Sequence, residues 1–201
     1  MLSVSVDTDG NANDDNPVPA SAKYTNGLYI QGAQVRTPYD EKGANSLGLR
    51  FISVVNDDLI KLLKTTKGIK DVKFGTLVAA ETKAAGKTLV KGFAGASDVE
   101  ALKIWQSTTT LNANYAKFTA CVIGIPAEYL STDIYVRPYI CYTNASGEVT
   151  YIYGEQYETA SIFKVAKEAY ESGRESDDVN NYLYEHIVSK VTGDNDLNID
   201  F

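Results

Sequence analysis

The stretch Tyr115-Ala-Lys-Phe-Thr-Ala-Cys-Val-Ile-Gly-Ile-Pro126, followed by Asp133-Ile-Tyr-Val-Arg-Pro-Tyr-Ile-Cys-Tyr142 and Glu148-Val-Thr-Tyr-Ile-Tyr-Gly154, decides the class of this chain. Each piece is rich in Val, Ile, Tyr, Phe and Thr, has strand length, and is bounded by turn-forming residues. Residues 126–132 are long enough to turn a corner between the first two pieces. Thr143-Asn-Ala-Ser-Gly147 is a hairpin signal, because Asn and Gly tolerate positive φ. Strands over 133–143 and 148–154 are therefore expected as antiparallel neighbours. No catalytic signature lies in this block.

Upstream, Leu28, Ile30, Ala33 and Val35 mark a first strand over residues 27–36. Residues 47–55 mark the next, with Leu47, Leu49 and Phe51 on one face and Arg50, Ile52 and Val54 on the other. Apolar residues on both faces predict a central strand. Residues 57–64 read as a short helix, with Asp57 and Asp58 suited to its positive end and lysines to the other. Strand resumes over 72–80. The Gly-, Ala- and Lys-rich residues 82–96 read as a loop or ragged hairpin. Ser97 and Glu100 have capping-box spacing, which predicts a helical turn through residues 101–105, with a strand as the competing reading.

Downstream the period changes. Ile162, Val165, Ala166, Ala169 and Tyr170 recur at helical spacing, and Gly173 ends that helix. Ser176 caps a second helix with Asp177 and Asp178 in its first turn; Val179, Leu183, Ile187 and Val191 form its stripe, and Gly193 stops it. Residues 7–22 are polar and lack the apolar surface needed to offset the entropy of ordering. Asp7, Asp9, Asn11 and Asn13 invite a calcium-loop reading, but Ala12 and Val18 stand where such a loop needs Gly and an acidic residue.

The 201 residues carry a net charge of -7, which disfavours nucleic acid as a partner. No apolar run approaches the ~18 residues of a membrane-spanning helix, so membrane insertion of this segment is not expected. The start carries no basic, apolar secretion signal. Met1 followed by Leu2-Ser-Val-Ser-Val-Asp7 reads as mature or trimmed sequence, so this does not argue for the cytoplasm. The two cysteines, Cys121 and Cys141, sit in apolar strand patterns and are expected as buried small hydrophobes. A bond between them would require adjacent Cβ atoms, and their spacing fits neither a redox pair nor a zinc motif.

Chemistry has little to build on. The single histidine, His186, lies beside the apolar stripe of the last helix and is expected as a structural residue. No zinc set, serine-nucleophile elbow or phosphate loop is present. Asp57 with Asp58 and Asp177 with Asp178 sit where helix N-termini favour negative charge, and adjacent helical residues do not converge on a point. Neither a catalytic residue, nor a metal ligand, nor a cofactor is expected. Arg36, Arg50 and Arg137 lie within strand patterns, each half-buried against a carboxylate or exposed on an open face. Of 14 tyrosines, eight fall between residues 115 and 157. Tyr135, Arg137 and Tyr139 share a strand face that could stack on a sugar or a protein partner. Trp105 is a core anchor or a sugar platform.

The order of several motifs resembles a module of large surface proteins from anaerobic Firmicutes such as clostridia and ruminococci. The motifs are Gly32-Ala-Gln-Val-Arg36, Leu47-Gly-Leu-Arg-Phe51, Lys73-Phe-Gly-Thr-Leu77, residues 119–126 ending in Gly-Ile-Pro, Tyr129-Leu-Ser-Thr-Asp-Ile-Tyr-Val-Arg-Pro-Tyr139 and Ser161-Ile-Phe-Lys-Val-Ala166. They span roughly residues 27–190. The resemblance implies secretion, wall attachment within a larger polypeptide and a β-sandwich core. It supplies no ligand and no site residues.

The expectation is thus a mainly β, α+β chain: an acidic linker over 1–23, an antiparallel immunoglobulin-like β-sandwich over 24–158, two helices over 159–193 packed on it, and a tail over 194–201. The expected function is a non-catalytic extracellular module, attached to the cell surface, for adhesion or display. Its partner would be a glycan or another surface protein, recognised through Tyr135, Arg137, Tyr139 and Trp105. The rivals are a carbohydrate-binding module serving a glycan-degrading system, a purely structural spacer, and a hydrolase with two carboxylates in a cleft.

Overall fold

The computed structural model describes residues 3–5, 27–39, 47–101, 105–106, 115–158 and 161–192. The chain is mainly antiparallel β with helices at its ends, an α+β sandwich. Sheet A is built from β1 (Ser3–Ser5), β2 (Leu28–Arg36), β3 (Gly48–Asn56), β6 (Trp105–Gln106) and β7 (Tyr115–Ile123). Its order is β1-β7-β3-β2, with β6 pairing the same edge of β7 that β1 pairs further along. Sheet B is built from β4 (Lys70–Ala80), β5 (Ser97–Glu100), β8 (Ile134–Thr143), β9 (Val149–Tyr153) and β10 (Tyr157–Glu158). Its order is β10-β8-β4-β5, with β9 pairing β8 beside β10. As expected, β3 is central, and β8 and β9 form an antiparallel hairpin.

Alternation along the strands fills the space between the sheets. Leu49 and Phe51 from β3, Ala120 and Val122 from β7, and Val78 and Val136 from sheet B meet in one part of the core. Leu28, Val55, Phe74, Phe118 and Ile140 meet in the other, where the Phe74 and Phe118 rings lie 5.8 Å apart. Ser53 and Thr76 form a buried hydroxyl pair at 3.4 Å across the sandwich, so the two polar groups satisfy each other away from water.

Helices close both ends. Helix α1 (Asp57–Thr65) is capped by Asn56, whose side chain accepts from the Asp58 N–H, and turns Ile60 and Leu63 into the second part of the core. Helix α3 (Ile162–Ser172), reached after the short α2 (Glu81–Ala84), puts Ile162 and Ala166 into the first part. It ends at Gly173 in the left-handed conformation (φ 62°), which only glycine adopts without steric penalty. Helix α4 (Asp177–Leu183) starts at Ser176, which accepts from the Val179 N–H, and runs through a π-helical stretch, Tyr184–Val188, into α5 (Ser189–Thr192). Leu183 and Ile187 join the same core. The two-helix segment is therefore continuous with the sandwich core.

Two expectations change. Ser97–Glu100 is a strand paired with β4, from Val78↔Ser97 to Gly75↔Glu100, so Ser97 lies in a ladder rather than at a helix cap; of the helical turn expected over 101–105, residues 102–104 lie outside the described residues. Val99 faces the core while Asp98 and Glu100 face outward, and that alternation wins over a two-residue local signal. The linker expected from the first residue is interrupted by Ser3–Ser5, which pair with Cys121–Ile123. The polar segment 7–22 and the tail 194–201 lie outside the described residues.

Candidate functional site

The outer face of sheet B brings together the aromatic and charged side chains that the core does not use. Pairing register defines its rows. Gly75 stands between Glu100 and Tyr139, and Tyr139 opposes Tyr153; one row on, Lys73 opposes Cys141, which opposes Tyr151. The Tyr139 ring lies over Gly75, where an added Cβ would come within 2.4 Å of the ring.

A strap, residues 85–96, covers one half of this face. Its anchor, Leu89, is fully buried among Leu77, Ala79, Ala84, Tyr135 and Tyr139. Its backbone is held by side chains from β8, from β9 and from the segment after β9. Arg137 donates from Nη1 to the Leu89 carbonyl (2.8 Å) and from Nε to the Gly154 carbonyl (2.9 Å). Gln156 accepts from the Leu89 N–H (2.7 Å) and donates to the Lys87 carbonyl (2.9 Å). The Tyr153 hydroxyl accepts from the Lys91 N–H at 2.9 Å. These bonds satisfy a loop that would otherwise bury bare backbone.

The other half is open. The Tyr151 and Tyr153 rings are half-exposed, 5.8 Å apart and 13° from parallel, and the Arg137 guanidinium lies 4.6 Å from the Tyr153 centroid. Two ion pairs lie on the β4–β5 side of the rings. Lys73 meets Glu100 at 3.0 Å with both side chains 54% exposed, and Lys91 meets Asp98. Asp98 also accepts from the Tyr139 hydroxyl at 2.7 Å, and Lys91 Nζ sits 5.4 Å from the Tyr139 centroid.

Burial sets the titration of the buried and half-buried groups. It pushes the Tyr139 hydroxyl well above the ordinary tyrosine range and lowers Arg137. It also raises the Cys141 thiol, against the pull of Lys91 and Lys73. The exposed Lys73 ammonium is raised by its hydrogen bond to Glu100. Among the described residues no group of three or more His, Cys, Asp or Glu side chains is placed to hold a metal.

The residues expected to bind ligand fare unevenly. Tyr135 and Tyr139 are 9% and 2% exposed, so they do not form an exposed face. The strap covers them, with Leu89 seated between their rings and Leu77, Ala79 and Ala84. Arg137 is half-buried and bonds two carbonyls, those of Leu89 and Gly154, rather than a carboxylate. The backbone of Trp105 pairs with Lys117 in sheet A, away from sheet B, and its side chain lies outside the described residues. Cys121 and Cys141 form no disulfide and lie in different sheets. Cys121 is buried as expected, and Cys141 is only half-buried. His186 is exposed, its ring 4.3 Å from that of Tyr182.

Sequence reasoning missed Tyr151, Tyr153, Lys73 and Glu100. The hairpin signal at residues 143–147 contained the clue, since carrying the Tyr135-Arg137-Tyr139 face across it places Tyr151 and Tyr153 on the same side. No family model, curated protein or solved structure matches the chain. No helix among the described residues is long and apolar enough to cross a membrane.

Proposed function

We propose that this chain is a non-catalytic recognition module of an extracellular bacterial surface protein, acting in adhesion or display within a larger polypeptide. The observation that carries the reading is the open half of sheet B, where two half-exposed tyrosines on the edge strand β9 share a face with two ion pairs, Lys73–Glu100 and Lys91–Asp98. Aromatic rings with polar neighbours on a pre-formed surface bind with little ordering cost. The surface-protein setting rests on the motif resemblance. The immunoglobulin-like reading of the sandwich is supported by strand order, β2-β3-β7 in one sheet against β5-β4-β8-β9 in the other.

Beads coated with the purified protein test this reading against plant fibre, mucin and bacterial cell walls. The proposal expects adhesion to at least one surface, lost in Tyr151→Ala and kept in Tyr157→Ala, which removes an exposed ring on β10. Adhesion no better than that of albumin-coated beads on every surface would overturn it and leave a structural spacer.

A further inference from the structure

We infer that the open half of sheet B binds a neutral polysaccharide chain laid across its strands, with one sugar ring stacked on Tyr151 and hydroxyls of a further sugar along the chain bonded to Lys73 and Glu100. This inference rests on the recognition reading above.

Three observations converge on that class of ligand. The first is shape. Tyr151 and Tyr153 lie near-parallel on an edge strand, and both belong to the outer face. A pyranose ring presents a flat face of C–H bonds that matches an aromatic face, and the tyrosine rings are held in place by Tyr139 and Arg137 rather than by the ligand.

The second is charge. Each lysine on the patch already has a carboxylate, Lys73 with Glu100 and Lys91 with Asp98. The exposed pairs are therefore internally neutral, on a chain whose net charge is -7, and the further cation, Arg137, is half-buried, bonded to two backbone carbonyls and laid on the Tyr153 ring. A polyanion meets long-range repulsion and no exposed lysine without a carboxylate, and a polycation must displace two lysines from their partners.

The third is solvation. The Lys73–Glu100 pair is well exposed. A protein partner packing densely over it would desolvate both charges, which costs more than the pair returns. Sugar hydroxyls can take the place of the water on those groups, because an ammonium keeps spare donors and a carboxylate spare acceptors.

Cys141 supplies a native reporter. It lies between Lys73 and Tyr151 in the same row, and its thiol is half-exposed.

Affinity electrophoresis in gels containing galactomannan, xyloglucan or mixed-linkage β-glucan, with polygalacturonate and heparin as charged comparators, tests the inference. The expected result is retardation in at least one neutral gel, weakened about tenfold or more in Tyr151→Ala. The same neutral glycan should slow alkylation of Cys141 in the wild-type protein. Urea denaturation of Tyr151→Ala, with an unchanged midpoint, shows that the loss is not unfolding. Retardation only in the charged gels, or in none, overturns the inference. If beads still adhere through Tyr151 to a surface stripped of glycans, the recognition reading stands without it. If neither beads nor gels respond, both fall.

Discussion

The two sheets of this sandwich treat their outer faces differently. On sheet A the outward side chains Tyr29, Arg50, Ile52, Val54, Lys117, Thr119 and Cys121 are buried, none more than 5% exposed, while Gln34 and Arg36 at the β2 edge are half-buried. Arg50 and Lys117 are charged, and neither is left without a partner. On sheet B one half of the outer face is covered by the strap around Leu89, and the other half is open to solvent. A sheet closed on both sides contributes stability and offers nothing to a ligand. A half-covered sheet offers a rigid floor, and the strap holds its edge in place.

That difference was partly legible in the sequence. Strand β3 carries Leu49 and Phe51 on one face and Ile52 and Val54 on the other, and double-sided apolarity predicts double-sided burial. Strand β8 carries Tyr135, Arg137 and Tyr139 on its outer face, a pattern that reads equally as an exposed binding surface. Its covering is anchored by Leu89, with Phe93 and Ala96 packed beside it, in a Gly-, Ala- and Lys-rich segment with no periodicity, held by side chains 48 to 69 positions away in sequence. Such non-local bonds leave no local pattern. Glu100 was hidden for a similar reason, since capping-box spacing and strand alternation compete over residues 97–100.

The largest effect should come from the closed face. Ile52→Ala removes buried apolar volume from sheet A and is expected to cost about 4 kcal/mol, read from urea unfolding. A loss under about 1 kcal/mol would mean that face is not closed. Leu89→Ala should cost about 3 kcal/mol by the same measurement. It should also increase proteolytic cleavage within residues 85–96, because the strap loses its anchor while the core between the sheets stays intact. Gly75→Ala brings a methyl group against the Tyr139 ring and should cost roughly 2 kcal/mol; an unchanged midpoint would show that the ring has free room.

Tyr139→Phe deletes the bond to Asp98 and should cost about 1 kcal/mol at neutral pH. It has a pH signature with a definite sign. The folded state holds the Tyr139 proton more tightly than the unfolded chain does. The stability this contributes is fully present below the unfolded pKa near 10 and is lost as the pH rises above it. Stability measured from pH 9 upward should therefore fall more steeply in the wild type than in Tyr139→Phe, and equal slopes would contradict the burial of that hydroxyl. The smallest effect belongs to the open face. Val149 is 59% exposed there, and Val149→Asp should change stability by no more than about 0.5 kcal/mol.

The asymmetry between the faces is tested most directly by the two cysteines, which form no disulfide and lie one on each outer face. Under native conditions at mildly alkaline pH, the burial-raised Cys141 is expected to react with iodoacetamide first, slowly but ahead of Cys121. The labelled native protein should carry one adduct, mapped by mass spectrometry to Cys141, and a second on Cys121 only after addition of denaturant. Equal rates at both positions in the native protein, or faster reaction at Cys121, would contradict a closed sheet A and an open sheet B.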